Sequence, residues 1–264
     1  MKIFISADME GCAGIVSWPE TELDSHEHER AAREMTREVK MVCETLFENG
    51  VSEVTVKDAH DSGKNIFYDE LPKGVKIVRS WTGGPLSMVQ GLDETYDGAI
   101  FIGYHSAASM DGSPLSHTMN PDIGKITING MVCSEYLLHV YAAADLGVPV
   151  IMLSGDRMIC EWAEWFNSKI SIAPLKEGIG GGVISLSQAD ALDLLKKKTV
   201  EALRNIDKCK INIPEKFEVK IEYKKHEDAY RASFYPGVKQ ESSRKVRYTA
   251  STIREMLTTN MFVL

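Results

Sequence analysis

The chain has 264 residues, and 30 Lys and Arg stand against 38 Asp and Glu, a formal net charge of −8. Apolar types make up 44% and charged types 26%, the composition of a folded globular chain, which excludes a disordered, collagen-like or disulfide-framework protein. The acid excess argues against a nucleic-acid or anionic-membrane binder, and no segment approaches the ~20 apolar residues of a membrane helix.

The length predicts one large domain, or one large and one small. Ile3–Ala7 reads as a buried parallel strand that enters an acidic, glycine-containing turn. As an apolar run it is too short for a signal peptide. The five cysteines (Cys12, Cys43, Cys133, Cys160, Cys209) are scattered, odd in number and form no CxxC pair. Together these features predict a cytoplasmic protein in a reducing compartment.

Ala31, Met35, Val39, Val42 and Leu46 recur at helical spacing, so Asp24–Asn49 reads as a helix with Gly50 as its C-cap. Val51–Lys57 alternates as a strand and ends at Asp58-Ala59-His60. Val75–Val78 is a further strand, and the apolar run Gly98–Gly103 ends at Tyr104-His105. Lys125–Cys133 carries Asn129-Gly130, a hairpin signal. Ser134–Leu146 reads as a helix, Val148–Leu153 as a strand ending at Ser154-Gly155-Asp156, and Ile159–Phe166 as a helix. Lys176–Val183, with Gly178 and Gly180-Gly181-Gly182, reads as a flexible loop. Ser187–Ile206 is a periodic helix with Ser187 as N-cap, and Phe217–Tyr223 alternates as a strand. A helix near Glu227–Phe234, a strand near Val246–Thr249 and a helix near Thr252–Thr258 follow. The expected fold is α/β: a three-layer α/β/α body with a mostly parallel sheet over residues 1–185, the metal-binding catalytic domain, and a smaller α+β unit over 186–264.

Strand ends are where open α/β sheets bind ligands. Asp8, Glu10, His60, His105 and Glu135 all follow predicted strands or the hairpin. Asp8 and Glu10, at i and i+2, share one face of an extended segment and repel unless a cation or protons neutralise them. Two imidazoles with three carboxylates form a mixed nitrogen and oxygen set suited to Zn²⁺, Mn²⁺ or Co²⁺. Five ligands exceed the needs of one tetrahedral zinc with an open position and suit two ions about 3.5–4 Å apart with a bridging carboxylate. Cys133 is a weaker candidate ligand. Asp58 or Asp61 either orients the His60 imidazole or caps a turn. His117, between Ser116 and Thr118, is the candidate for proton transfer, and a loop histidine bonded to a backbone carbonyl fits its spacing equally well. His26-Glu27-His28-Glu29 lacks the HExxH spacing and reads as a solvated first turn. Lys196-Lys197-Lys198 reads as a solvated face. Ser154-Gly155-Asp156 is no GxSxG elbow, and the triple glycine is no phosphate loop.

Taken jointly, Asp8-Met9-Glu10-Gly11, Asp58-Ala59-His60, Ser87 to Leu92, Gly103-Tyr104-His105, Ser116-His117-Thr118-Met119, Ile128-Asn129-Gly130 with Ser134-Glu135, and Ser154-Gly155-Asp156 resemble the D-aminopeptidases of the M55 metallopeptidase type in order and spacing. The likeness is strong to about residue 205 and weaker beyond it. It implies a binuclear zinc site bridged by Asp8 and completed by Glu10, His60, His105 and Glu135, with His117 as the catalytic histidine. It also implies removal of N-terminal D-residues such as D-alanine from short peptides, and a ring-shaped homo-oligomer such as a decamer with its sites facing an inner chamber. Gly180-Gly181-Gly182 and the C-terminal part depart from the family pattern, which would alter specificity if they touch substrate. Another binuclear hydrolase, an amidase or phosphoesterase, and a non-catalytic peptide-binding protein are the alternative readings.

Overall fold

The computed structural model describes residues 1–264. In chain order the elements are β1 (Lys2–Ala7), α1 (Trp18–Thr21), α2 (His28–Glu48), β2 (Glu53–Asp58), β3 (Val75–Val78) and β4 (Gly98–Tyr104). The hairpin β5 (Ile123–Ile128) and β6 (Met131–Val132) leads into α3 (Glu135–Asp145), β7 (Val150–Asp156), α4 (Arg157–Phe166), β8 (Ser171–Ile179), β9 (Gly182–Ser185) and α5 (Gln188–Arg204). The chain ends with β10 (Phe217–Tyr223), α6 (His226–Ala232), β11 (Lys239–Ser242), β12 (Lys245–Ala250) and α7 (Ile253–Val263).

Seven strands form one sheet in the order β3-β2-β1-β4-β7-β8-β9, parallel except for the antiparallel edge strand β9. Both faces are covered, so its strands read as continuous apolar runs. Along β1 the side chains alternate: Ile3 and Ile5 join the cluster under α2 and α5, and Phe4 joins the opposite one with α3 and α4. The stripe Met35, Val39, Val42 and Leu46 of α2 is wholly buried, each side chain contributing about 1.5–3 kcal/mol relative to exposure. A second sheet, antiparallel throughout, runs β11-β12-β10-β5-β6, and its buried face shares the cluster that holds α3, α6 and α7.

Two expectations change. The division at 185/186 does not follow the layers: α5 packs on α2 and β8 of the large sheet, while β5 and β6, from the middle of the chain, pair with the C-terminal strands. An apolar stripe on a helix names no partner, and the alternating hairpin needed a third strand, β10, to bury its apolar face. Second, Lys176–Val183 is not a loop. It is the β8–β9 hairpin, turned at Gly180 (φ 56°) and Gly181, a conformation that glycine adopts without strain. β11 has no counterpart among the elements expected from the sequence, because all four of its residues are exposed at a sheet edge and carry no apolar alternation.

Candidate metal centre

The strand order builds the site. β1 lies between β2 and β4, with Ala7 level with Asp58 on one side and Ile102 on the other. The segment leaving β1 therefore meets the segments leaving both neighbours. The approach is close: a Cβ at Gly11 would lie 1.9 Å from the Tyr104 carbonyl oxygen, and the Gly11 N–H donates to the Gly103 carbonyl at 2.7 Å. Glu135 enters from the first turn of α3, whose N-cap Ser134 accepts from the Leu137 N–H, and His117 comes from the segment between β4 and β5.

Asp8 occupies the centre of the cluster. Its Oδ1 is 3.3 Å from His60 Nδ1, which is also 2.9 Å from Glu10 Oε2. Its Oδ2 is 3.5 Å from His105 Nε2, itself 3.3 Å from Glu135 Oε2. The two oxygens of one carboxylate thus face two separate imidazole–carboxylate pairs, and each trio could hold a metal ion. His117 Nε2 lies 3.5 Å from Glu135 Oε1 and 4.0 Å from Glu10 Oε1. Its ring stacks on His105 at 4.3 Å and meets Trp18 edge-on at 5.2 Å. The site thus gathers all six candidate residues. Cys133 is buried nearby, its thiol turned to the Ser134 carbonyl, and belongs to no such trio.

Each histidine is oriented from behind. His60 Nε2 donates to the Thr21 carbonyl at 2.7 Å, His105 Nδ1 to the Ser106 carbonyl at 2.9 Å, and His117 Nδ1 to the Leu115 carbonyl at 2.9 Å. The other nitrogen of each ring then faces the carboxylates, as in metal-ligating histidines, where it can bind an ion once it carries no proton. His117 accordingly combines both readings open from its spacing: it is bonded to a loop carbonyl and faces the cluster.

Electrostatics describe a site that wants cations. Burial, then Glu10, pushes the Asp8 carboxyl well above the carboxylate range. Burial would also raise Glu10 and Glu135, but the imidazoles override it: His60 holds Glu10 well below its usual value, and His105 brings Glu135 down to about 2. Burial opposes charge on the two rings as well, yet Glu10 raises His60 well above its usual value and Glu135 raises His105 to about 10. Burial and the neighbouring His105 lower His117. Asp8 Oδ2, Glu10 Oε2 and His105 Nε2 are buried without a hydrogen-bond partner. Such atoms, converging on common centres, fit divalent cations.

Residues outside the predicted ligand set hold this shell. Asp156, the N-cap of α4, accepts from the Ser106 N–H and hydroxyl, both at 2.6 Å, and so fixes the segment after His105. Lys176 is buried and donates to the carbonyls of Glu10 and Ile15. The Met119 N–H donates to Glu135 Oε1 at 2.7 Å. Asp58 does not touch the His60 ring. It caps the following turn through the N–H groups of Asn65 and Ile66, and the Asn65 side chain donates to the His60 carbonyl. His28 is not solvated as its motif suggests: it is buried and its Nε2 bonds Asn65 Oδ1 at 2.9 Å. Lys196 and Lys197 are exposed, as expected of a wet face.

Asp156→Ala is expected to cost about 2–4 kcal/mol, because it strands the Ser106 donors and removes a helix cap. Urea unfolding measures it, and an unchanged midpoint would contradict this anchoring role.

The cluster opens into a cleft of about 480 Å³ with Trp18 and Trp81 in its walls. Five carboxylates line it (Asp8, Glu10, Glu22, Asp61, Glu135) and no lysine or arginine does. No residue of the β8–β9 hairpin lines it, so the triple glycine has no part in this subunit's cleft.

An α/β sheet that gathers such a donor set at its strand ends, beside an open cleft, defines a metal-dependent hydrolase. The chain belongs to the D-aminopeptidase family, Peptidase M55, whose family model matches residues 1–262. It is 33% identical over 258 residues to a D-aminopeptidase of Bacillus subtilis (strain 168), covering 97% of this chain and 93% of that protein. A solved structure of DppA from Bacillus subtilis, described as a zinc-dependent D-aminopeptidase and a self-compartmentalizing protease, superposes with a TM-score of 0.92 at 31% identity, covering 100% of this chain and 98% of that one. The likeness therefore continues through the C-terminal part, where the sequence motifs had thinned out.

Proposed function

We propose that this protein is a zinc aminopeptidase that removes an N-terminal D-residue, such as D-alanine, from short peptides, with two ions per subunit. One ion would be held by His60, Glu10 and Asp8, the other by His105, Glu135 and Asp8. The observation that carries this reading is the Asp8 carboxylate, one oxygen turned to each imidazole–carboxylate pair. When bound, such ions would lower the pKa of a water so that it is available as hydroxide near neutral pH, and would polarise the scissile carbonyl. The chain's own groups do the rest. The acidic cleft attracts the substrate's ammonium group, and Trp18 packs against His117, limiting water at its ring. His117, its pKa lowered, is neutral near pH 7 with Nε2 directed at the cluster, where it can take a proton and return it to the leaving amine.

The likeness to DppA supports a homo-oligomer, and we extend the reading to a ring, for which light scattering supplies the mass. No helix is long and apolar enough to cross a membrane. Five unpaired, buried cysteines suit a reducing, cytoplasmic compartment.

The test is side-by-side hydrolysis of D-Ala-D-Ala, L-Ala-L-Ala and a phosphate ester by zinc-loaded protein, with metal analysis. Turnover of the D-peptide with bound zinc is expected. Preference for the ester, or a protein that takes up no transition metal, would overturn the reading.

A proton count gives a second check. In the metal-free chain His60 and His105 are raised, so they hold protons at neutral pH that an ion must displace. The sign follows: zinc affinity rises with pH and is lost as pH falls. Loading at pH 7 should release at least two protons per subunit, one from each ring, and any that the raised Asp8 carboxyl holds add to them. Calorimetry in buffers of different ionisation enthalpy reads the number, and zero release would exclude these rings as ligands.

A further inference from the structure

Beside the cleft lies a second pocket of about 220 Å³ between α3 and α7. The two share Ser87, Met119 and Asn120 as a common wall. Helix spacing ties them together: Glu135 faces the cleft, while Leu138 and His139, three and four residues on, line the pocket. Leu257 closes it from α7, and no acidic or basic side chain other than His139 lines it.

Two polar groups in this apolar setting are unused by the fold. Asn260 is 6% exposed; its Oδ1 accepts from the Tyr248 hydroxyl at 2.6 Å, but its Nδ2 is buried with no partner. His139 is 1% exposed and donates Nδ1–H to the Glu135 carbonyl at 2.7 Å, which leaves Nε2 as an acceptor. A buried amide group without a partner is rare in a folded protein, so it marks a place where a carbonyl is expected. One donor and one acceptor among aliphatic side chains match a peptide group carrying an apolar side chain.

Resting on the reading above, we infer that this pocket is the subsite for the second residue of the peptide, taking its apolar side chain against Leu138 and Leu257 while Asn260 Nδ2 donates to a substrate carbonyl. The ammonium of the first residue belongs among the carboxylates of the cleft, and the apolar side chain of the second meets the apolar pocket beside Met119 and Asn120.

The test compares D-Ala-Leu, with either configuration at leucine, to D-Ala-Gly. In zinc-loaded wild type, kcat/KM for the better leucine peptide should exceed that for the glycine peptide about tenfold or more, mostly through KM. Leu257→Phe fills the pocket from a buried position and Met261→Trp from its half-exposed rim, so the second variant stands if the first fails to fold. In either variant the leucine-to-glycine ratio should collapse toward one. A ratio near one in wild type, or a ratio unchanged in the folded variants, overturns the subsite while leaving the peptidase reading intact. Calorimetric binding of the same peptides to metal-free protein separates the two ideas. If wild type hydrolyses neither peptide, the peptidase reading falls, and the subsite is upheld by about tenfold tighter binding of D-Ala-Leu and overturned by equal binding.

Discussion

His117→Ala should lower kcat by about 10²–10⁴-fold while zinc content and fold stay close to wild type. The reason lies in how this ring is held. Its Nδ1–H is used by the Leu115 carbonyl, and its Nε2 stands 3.5 Å from Glu135 and 4.0 Å from Glu10; it joins Glu10 and His105 in a third group close enough to hold an ion, but belongs to neither trio that shares Asp8. It is also the least buried of the three rings at the cluster, with 12% of its side chain exposed toward the cleft. A ring in that position can move a proton to and from substrate without being needed to retain the ions. Single-turnover kinetics with metal analysis make the distinction. Wild-type turnover in the variant would remove the role, and loss of zinc along with activity would make His117 a ligand. A histidine at the surface of the shell should also impose an acid limb on the rate, with turnover falling as pH drops and the ring takes up its proton.

Asp8→Ala should fail for the opposite reason. One carboxylate serves both halves of the cluster, so bound zinc is expected to fall from about two ions per subunit to one or fewer. Activity should fall with it, by about 10³-fold or more. Stability should move the other way. The Asp8 carboxyl is pushed up by burial and by Glu10, so its charged form opposes folding above the usual carboxylate pKa. In chelator at pH 7, Asp8→Ala should therefore unfold at a temperature no lower than wild type, whereas added zinc should raise the melting temperature of wild type and leave the variant nearly unmoved. A variant that melts lower in chelator and still binds two ions would show that Asp8 is a structural acid. The pair of outcomes expresses the general cost of a site: buried like charges are tolerated because a ligand neutralises them.

The helix stripes, the buried parallel strands and the hairpin at Asn129-Gly130 were legible because each rests on local spacing. The same is true of Asp8, Glu10, His60 and His105, since each sits within a few residues of an apolar run whose end marks the active edge of the sheet. Asp156 stood in a motif at a strand end, but its role was not legible, and Lys176 gave no signal. Their importance comes from partners 50 and 166 residues away, the Ser106 donors and the Glu10 carbonyl. His28 was misread because its charged neighbours suggest water, while Asn65, 37 residues on, takes it inside.

By itself, then, the sequence determined which residue types stand at the strand ends, and so the chemistry available: nitrogen and oxygen donors, an acidic cleft and a spare histidine. Tertiary structure alone decided how they combine. Because β1 lies between β2 and β4, Asp8 faces His60 with one oxygen and His105 with the other, and strand order is a non-local choice that no local period encodes. The same holds for the pocket between α3 and α7, where Asn260 reaches the wall of a site built 125 residues earlier around Glu135. Spacing fixes which face a side chain takes; packing between distant elements fixes what that face meets.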